Sequence, residues 1–206
     1  MSATVTPLNF LPPEVPEDQA RAGYYALLAR LFYAGPDAPL LAAIAGSDEI
    51  VAGGGPLAGP WNALAAAARV MDPEAARLEY DEVFVGTGKA EVTPYAAHYL
   101  SATGREKILV RLRQDLASLG LGKTGAAQEP EDHMAGLFEV MRLLISQGSA
   151  DAALQKQRDF FSRYIEAAFG PFCSAIAKSE RADFYKPVGR FAEAFLVVET
   201  EGLKVF

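Results

Sequence analysis

The chain has 206 residues, half of them apolar, and a formal charge of −7. That is enough apolar material for one large domain or two small lobes, and the acidic balance argues against nucleic acid, whose phosphates call for clustered Lys and Arg. The single cysteine, Cys173, excludes an intramolecular disulfide and a CxxC metal site. The N-terminus, "MSATVTPLNFLPPEVPED", lacks the basic start and apolar stretch of a secretory signal. No run of about 18 apolar residues offers a membrane span. A cytoplasmic protein is the expectation.

Residues 1–16 form a proline-broken arm, expected to be flexible, and almost everything after it has helical periodicity. Tyr24, Leu27, Leu28, Leu31 and Phe32 recur at three- and four-residue steps. "DAPLLAAIA" reads as a short second helix closed by Gly46, and "AGGGPLAGP" as a loop before an alanine-rich helix opened by Trp61. Asp72-Pro73 is a helix start, Asp as N-cap and Pro in the first turn, and that helix extends through "EAARLEYDEVFVG" to Gly86. Ile108, Leu109, Leu112, Leu116 and Leu119 make another stripe. The stretch "GLGKTGAAQ" (120–128) has no period and reads as a linker or hinge. Beyond it the pattern predicts a helix over about 130–147, one carrying Leu154, Phe161, Ile165 and Phe169 with a break at Gly170-Pro171, and two segments around 172–178 and 182–200. Residues 17–206 therefore read as one all-α domain, a helical bundle of about eight to ten helices. A hinge at 120–128 would permit a domain-swapped homodimer as well as a monomer.

Three stretches invite a chemical reading. "GLGKT" resembles a phosphate-binding loop, but the first glycine position is Ala117 and a helix precedes it where a strand is needed. Cys173 with His98 or His133 could be drawn as a nucleophile pair, yet no spacing supports it and a lone Cys among apolar residues packs as core. The third is "EPEDHMAGLFEVM" (129–141). With Pro130 in the first helical turn, Glu131 and Asp132 would complement the positive helix end. Glu129, Asp132 and His133 are too few ligands for a good metal site. On a helical wheel, Met134, Leu137, Phe138, Met141, Leu144 and Ile145 form the buried stripe, with His133 at its edge. A side chain at 136 would lean back over Asp132, but residue 136 is glycine. The pattern therefore predicts an uncovered Asp132 carboxylate beside an apolar rim, a recognition surface for a basic, partly apolar peptide.

"EPEDHMAGLFEVM" resembles the helix motif of the TorD/DmsD/NarJ family, chaperones that mature molybdenum-cofactor oxidoreductases. "EYDEVFVGTGKAEVTPYAAHYL" is similar to that family's Tyr-x-x-x-Phe-x-Gly and Pro-aromatic-x-x-x-Tyr block, and with "YYALLARLFYAGPDAPLL" the likeness spans about residues 20–200. The resemblance implies a non-catalytic, all-helical protein without a cofactor of its own. It would bind the twin-arginine signal peptide, and the apo catalytic subunit, of its client oxidoreductase. It also implies that Asp132 and His133 line the peptide site, flanked by Glu129 and Pro130, with Tyr80, Val83 and Phe84 as an apolar wall; Tyr80 and Phe84, four residues apart, would serve equally as core. The chain departs from many members at Leu137 (Glu), Ala97 (Ser), and Tyr164 and Ala168 (His and Trp), which leaves the client open. Two rival readings are a small hydrolase using Asp132 and His133 as base and acid, and an all-α regulatory scaffold without a peptide site.

Overall fold

The computed structural model describes residues 15–51, 53–86, 88–122, 129–148 and 150–205. Within them are ten α-helices, one π-helical turn and no strand. Most of the N-terminal arm and residues 123–128 of the expected hinge lie outside the described residues.

The helices start and stop for local reasons. α1 (Pro16–Tyr33) has Pro at its first position, Glu17 and Asp18 in the first turn and Arg30 in the last, each charge complementing the helix dipole. It ends where Gly35 passes the next layer. A Cβ there would lie 2.7 Å from the Arg77 Cα, so only glycine lets the chain through. The Asp37 carboxylate accepts from the Leu40 N–H and starts α2 (Ala38–Ala45). α3 (Ala58–Val70) follows the glycine-rich loop. Asp72 accepts from the Glu74 and Ala75 N–H groups, and Pro73 opens α4 (Pro73–Tyr80).

α4 passes directly into a π-helical turn, Asp81–Val85. The Gly86 N–H closes it on the Asp81 carbonyl, five residues back, at 2.7 Å. The extra residue rotates Val83 and Phe84 into the core.

A short α5 (Ala96–Leu100) and α6 (Arg105–Ser118) complete the half before the linker. α6 is peripheral: of its apolar stripe only Leu112 is fully buried, with Ile108, Leu109, Leu116 and Leu119 half-buried. After the linker come α7 (Met134–Ile145), α8 (Asp151–Tyr164), α9 (Glu166–Lys178) and α10 (Tyr185–Lys204).

α7 packs lengthwise on α1, making this pair the axis of the bundle, while α8 lies against α7 and α9, α9 also packs on α5, and α10 packs on α9 and α3. All six residues of the predicted α7 stripe are buried. An aromatic cluster joins the layers, with Phe32 edge-on to Phe172 (5.1 Å between centroids) and Phe84 edge-on to Tyr185 (4.9 Å). Buried polar groups tie distant segments together. Arg21 on α1 donates to Asp18, to Gln157 on α8, and through two nitrogens to both oxygens of Glu199 on α10. The Glu79 carboxylate accepts the N–H groups of Asp183, Phe184 and Tyr185 at 2.8, 3.0 and 2.8 Å, where α10 begins.

Two expectations are corrected. The break expected at Gly170-Pro171 falls earlier, at Ile165, and α9 runs through Pro171. Proline clashes with the Cβ of a helical residue before it, and Gly170 has none, so the remaining cost is a missing N–H donor and crowding at the Ala167 carbonyl. The helix expected from about 130 begins only at Met134, because residues 130–133 are held elsewhere.

Candidate functional site

Residues 129–133 approach α7 but do not join it. The Ala96 N–H donates to the Asp132 carbonyl (2.9 Å), and the Met134 N–H donates to the Pro94 carbonyl (2.8 Å). Tyr95 and His133 thereby pair as an isolated antiparallel bridge. The Asp132 carboxylate accepts from the Ala97 N–H at 3.1 Å, satisfying a donor at the start of α5. His133, extended at φ −61° and ψ 130°, is the N-cap of α7, its Nδ1 accepting from the Ala135 N–H at 3.2 Å. This acceptor role fixes the neutral tautomer with its proton on Nε2.

Beside this knot lies a cleft of about 280 Å³ between the end of α6 and one face of α7. Leu116, Leu121, Val140 and Leu143 supply apolar walls. Glu129, Glu131 and Glu139 stand along it with Tyr33, His133 and Gly136. The carboxylates are not equivalent. Glu131 pairs with Arg113 (3.1 Å), and Glu139 is gripped by Arg142 through two bonds. Glu129 accepts instead from an uncharged donor, the Tyr95 hydroxyl, at 2.5 Å.

Its negative charge reaches several neighbours. Burial pushes the Tyr95 phenol up to about 12, and the bond to Glu129 adds to that. Burial raises the Tyr80 phenol as well, with the Glu129 charge contributing. Burial lowers the His133 imidazole, and Glu129 partly opposes that shift. Burial raises the Asp132 carboxyl against the pull of the Ala97 N–H. Among the described residues, no group of three or more His, Cys, Asp or Glu side chains gathers as metal ligands.

The Nitrate reductase delta subunit family model matches residues 54–174, more than half of the chain. The chain belongs to the TorD/DmsD/NarJ family of redox-enzyme maturation chaperones. It is 25% identical over 206 positions to Chaperone protein TorD of Shewanella loihica, covering 92% of this chain and 96% of that one. It is 24% identical over 145 positions to Chaperone protein TorD of Vibrio parahaemolyticus, covering 64% and 67%. Among solved structures, an Archaeoglobus fulgidus protein described as a redox enzyme maturation protein superposes with a TM-score of 0.57 at 21% identity, over 87% of this chain and 93% of that one. That likeness speaks for the fold.

The side chains of the motif are deployed otherwise than the wheel predicted. Asp132 is 4% exposed and faces the 94–97 segment, so the expectation of an uncovered carboxylate is corrected. The wheel failed because it continued the helix back through residue 132, where the backbone has already turned away. Gly136 does leave open space, with the Glu131 carbonyl 3.7 Å from where its Cβ would be. What it opens is the cleft beside Glu131. Glu129 and Pro130 line that cleft, and His133 closes its inner end at 5% exposure.

Tyr80, Val83 and Phe84 are placed in the core and do not line the cleft. Tyr80 packs on Phe84 (5.3 Å between centroids) and its hydroxyl donates to the carbonyls of Phe32 and Tyr33. Through Tyr33 they touch the cleft at second hand. Sequence reasoning missed Tyr33, Tyr95, Leu116 and Glu139. The only sequence signal for the far wall was the spacing of Gly136, Val140 and Leu143, a second stripe beside the buried one.

Cys173 is buried, its thiol pushed up to about 12 by burial, and His98 lies on the surface against Arg105. They form no nucleophile pair. No described helix is long and apolar enough to cross a membrane.

Proposed function

We propose that this protein is a non-catalytic maturation chaperone that binds the twin-arginine signal peptide of a molybdenum-cofactor oxidoreductase. It retains the apo catalytic subunit in the cytoplasm until the cofactor has been inserted. The observation that carries this reading is the cleft beside the family motif, with apolar walls and a rim of glutamates. Two guanidinium forks followed by an apolar run complement such a surface, the forks meeting carboxylates and the run displacing water from leucine side chains. The hydrolase reading finds no support, because Asp132 and His133 are both buried and each is engaged with a backbone N–H. A base and an acid would have to reach a substrate and accompany a nucleophile.

The test is calorimetric titration of the full chain with a twin-arginine signal peptide and with its Lys-Lys version. The arginine peptide should bind at least tenfold more tightly, since lysine cannot make the bidentate contact. Equal affinity for both, or no binding, would overturn the proposal.

A further inference from the structure

The cleft is not symmetric along its length, and the geometry points to a fixed direction for the bound segment: its cations at the Glu129 end, its chain running parallel to α7 toward Leu143. This rests on the peptide-binding reading above and adds orientation to it.

The two ends differ in chemistry. Glu129 stands just ahead of α7, and Tyr33, which is 61% exposed, lines the same cleft. A carboxylate with no cationic partner among the described residues and an exposed aromatic face together suit a guanidinium, one by a charge-assisted bond and the other by stacking. Glu131 and Glu139 already face Arg113 and Arg142, so Glu129 is the strongest acceptor.

His133 provides an independent pointer. It is 95% enclosed and lines the cleft, and with Nδ1 committed to α7, its Nε2–H has no protein acceptor among the described residues. That N–H is reached from the cleft, where a peptide carbonyl can take the place of water.

Further along α7, Val140 and Leu143 complete the apolar wall, and the one acid there, Glu139, is already held by Arg142. From His133 to Leu143 the helix rises about 15 Å, which about four or five residues of extended chain would span. A segment whose arginines precede its apolar run satisfies both ends only in the parallel sense. The reverse sense would place guanidinium groups against Val140 and Leu143 and leucines against Glu129.

The experiment uses the full chain and two synthetic peptides, each with two adjacent arginines followed by a leucine-rich run. One carries a photoreactive phenylalanine analogue just before the arginines, the other at the end of the apolar run. Parallel binding predicts cross-links from the first probe to Tyr33, Tyr95 or residues 129–131, and from the second to Val140 or Leu143. The opposite pattern, or both probes labelling both ends equally, overturns the direction while leaving peptide binding intact. Failure of either peptide to bind at all would remove the peptide-binding reading itself. Glu129→Gln adds a second readout: it should weaken the arginine peptide by about tenfold and leave the Leu143 cross-link of the second probe in place. Unchanged affinity in that variant would show that Glu129 does not read the cation.

Discussion

The two ends of α1 use the same kinds of residue to opposite effect. Near its start, Arg21 spends its guanidinium on Asp18, Gln157 and both oxygens of Glu199, binding three helices into one unit. At its finish, Tyr33 borders a cleft where, among the described residues, Glu129 meets a phenol and no cation, and His133 keeps its Nε2–H unspent. The first site pairs its charges within the chain and holds the bundle together. The second is held in shape by Asp132 and by the pairing of 94–97 with 132–134, but its outward valences are open. The two sites thus differ in whether the central carboxylate, Glu199 or Glu129, holds a cation among the described residues, rather than in residue type.

The largest effect should come from breaking the saturated end. Arg21→Ala leaves Glu199 buried without its cation and should lower unfolding free energy by about 3–5 kcal/mol, measured by urea titration. The double variant Arg21→Met with Glu199→Leu should recover most of that loss, since a buried pair exchanged for apolar groups is often neutral. A double variant as unstable as the single one would show that the network does more than neutralise Glu199.

Asp132→Ala probes the scaffold of the open end. It strands the Ala97 N–H and should cost about 1–3 kcal/mol of stability. The folded fraction should lose less peptide affinity than Glu129→Gln does. Were Asp132→Ala stable yet unable to bind, Asp132 would move from scaffold to recognition.

Gly136→Ala should act with opposite signs on the two properties. The added methyl meets ordinary contact distances, so helix propensity should raise stability by up to about 1 kcal/mol. It also narrows the cleft, and titration with the arginine peptide should show weaker binding.

The smallest effect concerns acid. His133 is held below its ordinary value by burial. The unfolded chain therefore takes up a proton at a higher pH than the folded one. Stability should decline as pH falls through the usual histidine range, about 6.5, until His133 itself titrates in the folded state. His133→Asn, which preserves the N-cap, should flatten that part of the stability–pH curve in chemical denaturation.

Much of the bundle was legible because helical periodicity is a local signal. Asp37, Asp72 and Gly46 mark helix ends by chemistry within a few residues, and the α7 stripe follows from 3.6-residue spacing alone. What was not legible depends on distant partners. Nothing near Pro130 announces that the Ala96 and Ala97 N–H groups will capture Asp132 and delay the start of α7. The cleft draws Tyr33, Leu116 and Leu143 from three separate helices. Pro171 misled for a local reason, since Gly170 before it removes the usual steric conflict.

Glu79 has a consequence for the order in which the molecule comes apart. Its carboxylate holds three successive amide protons that lie 104 to 106 positions further along the chain. Those protons are released only when the start of α10 and Glu79 of α4 move apart. Amide exchange at residues 183–185 therefore reports how often this long-range contact opens, not the local fraying of a helix end bonded to its own neighbours.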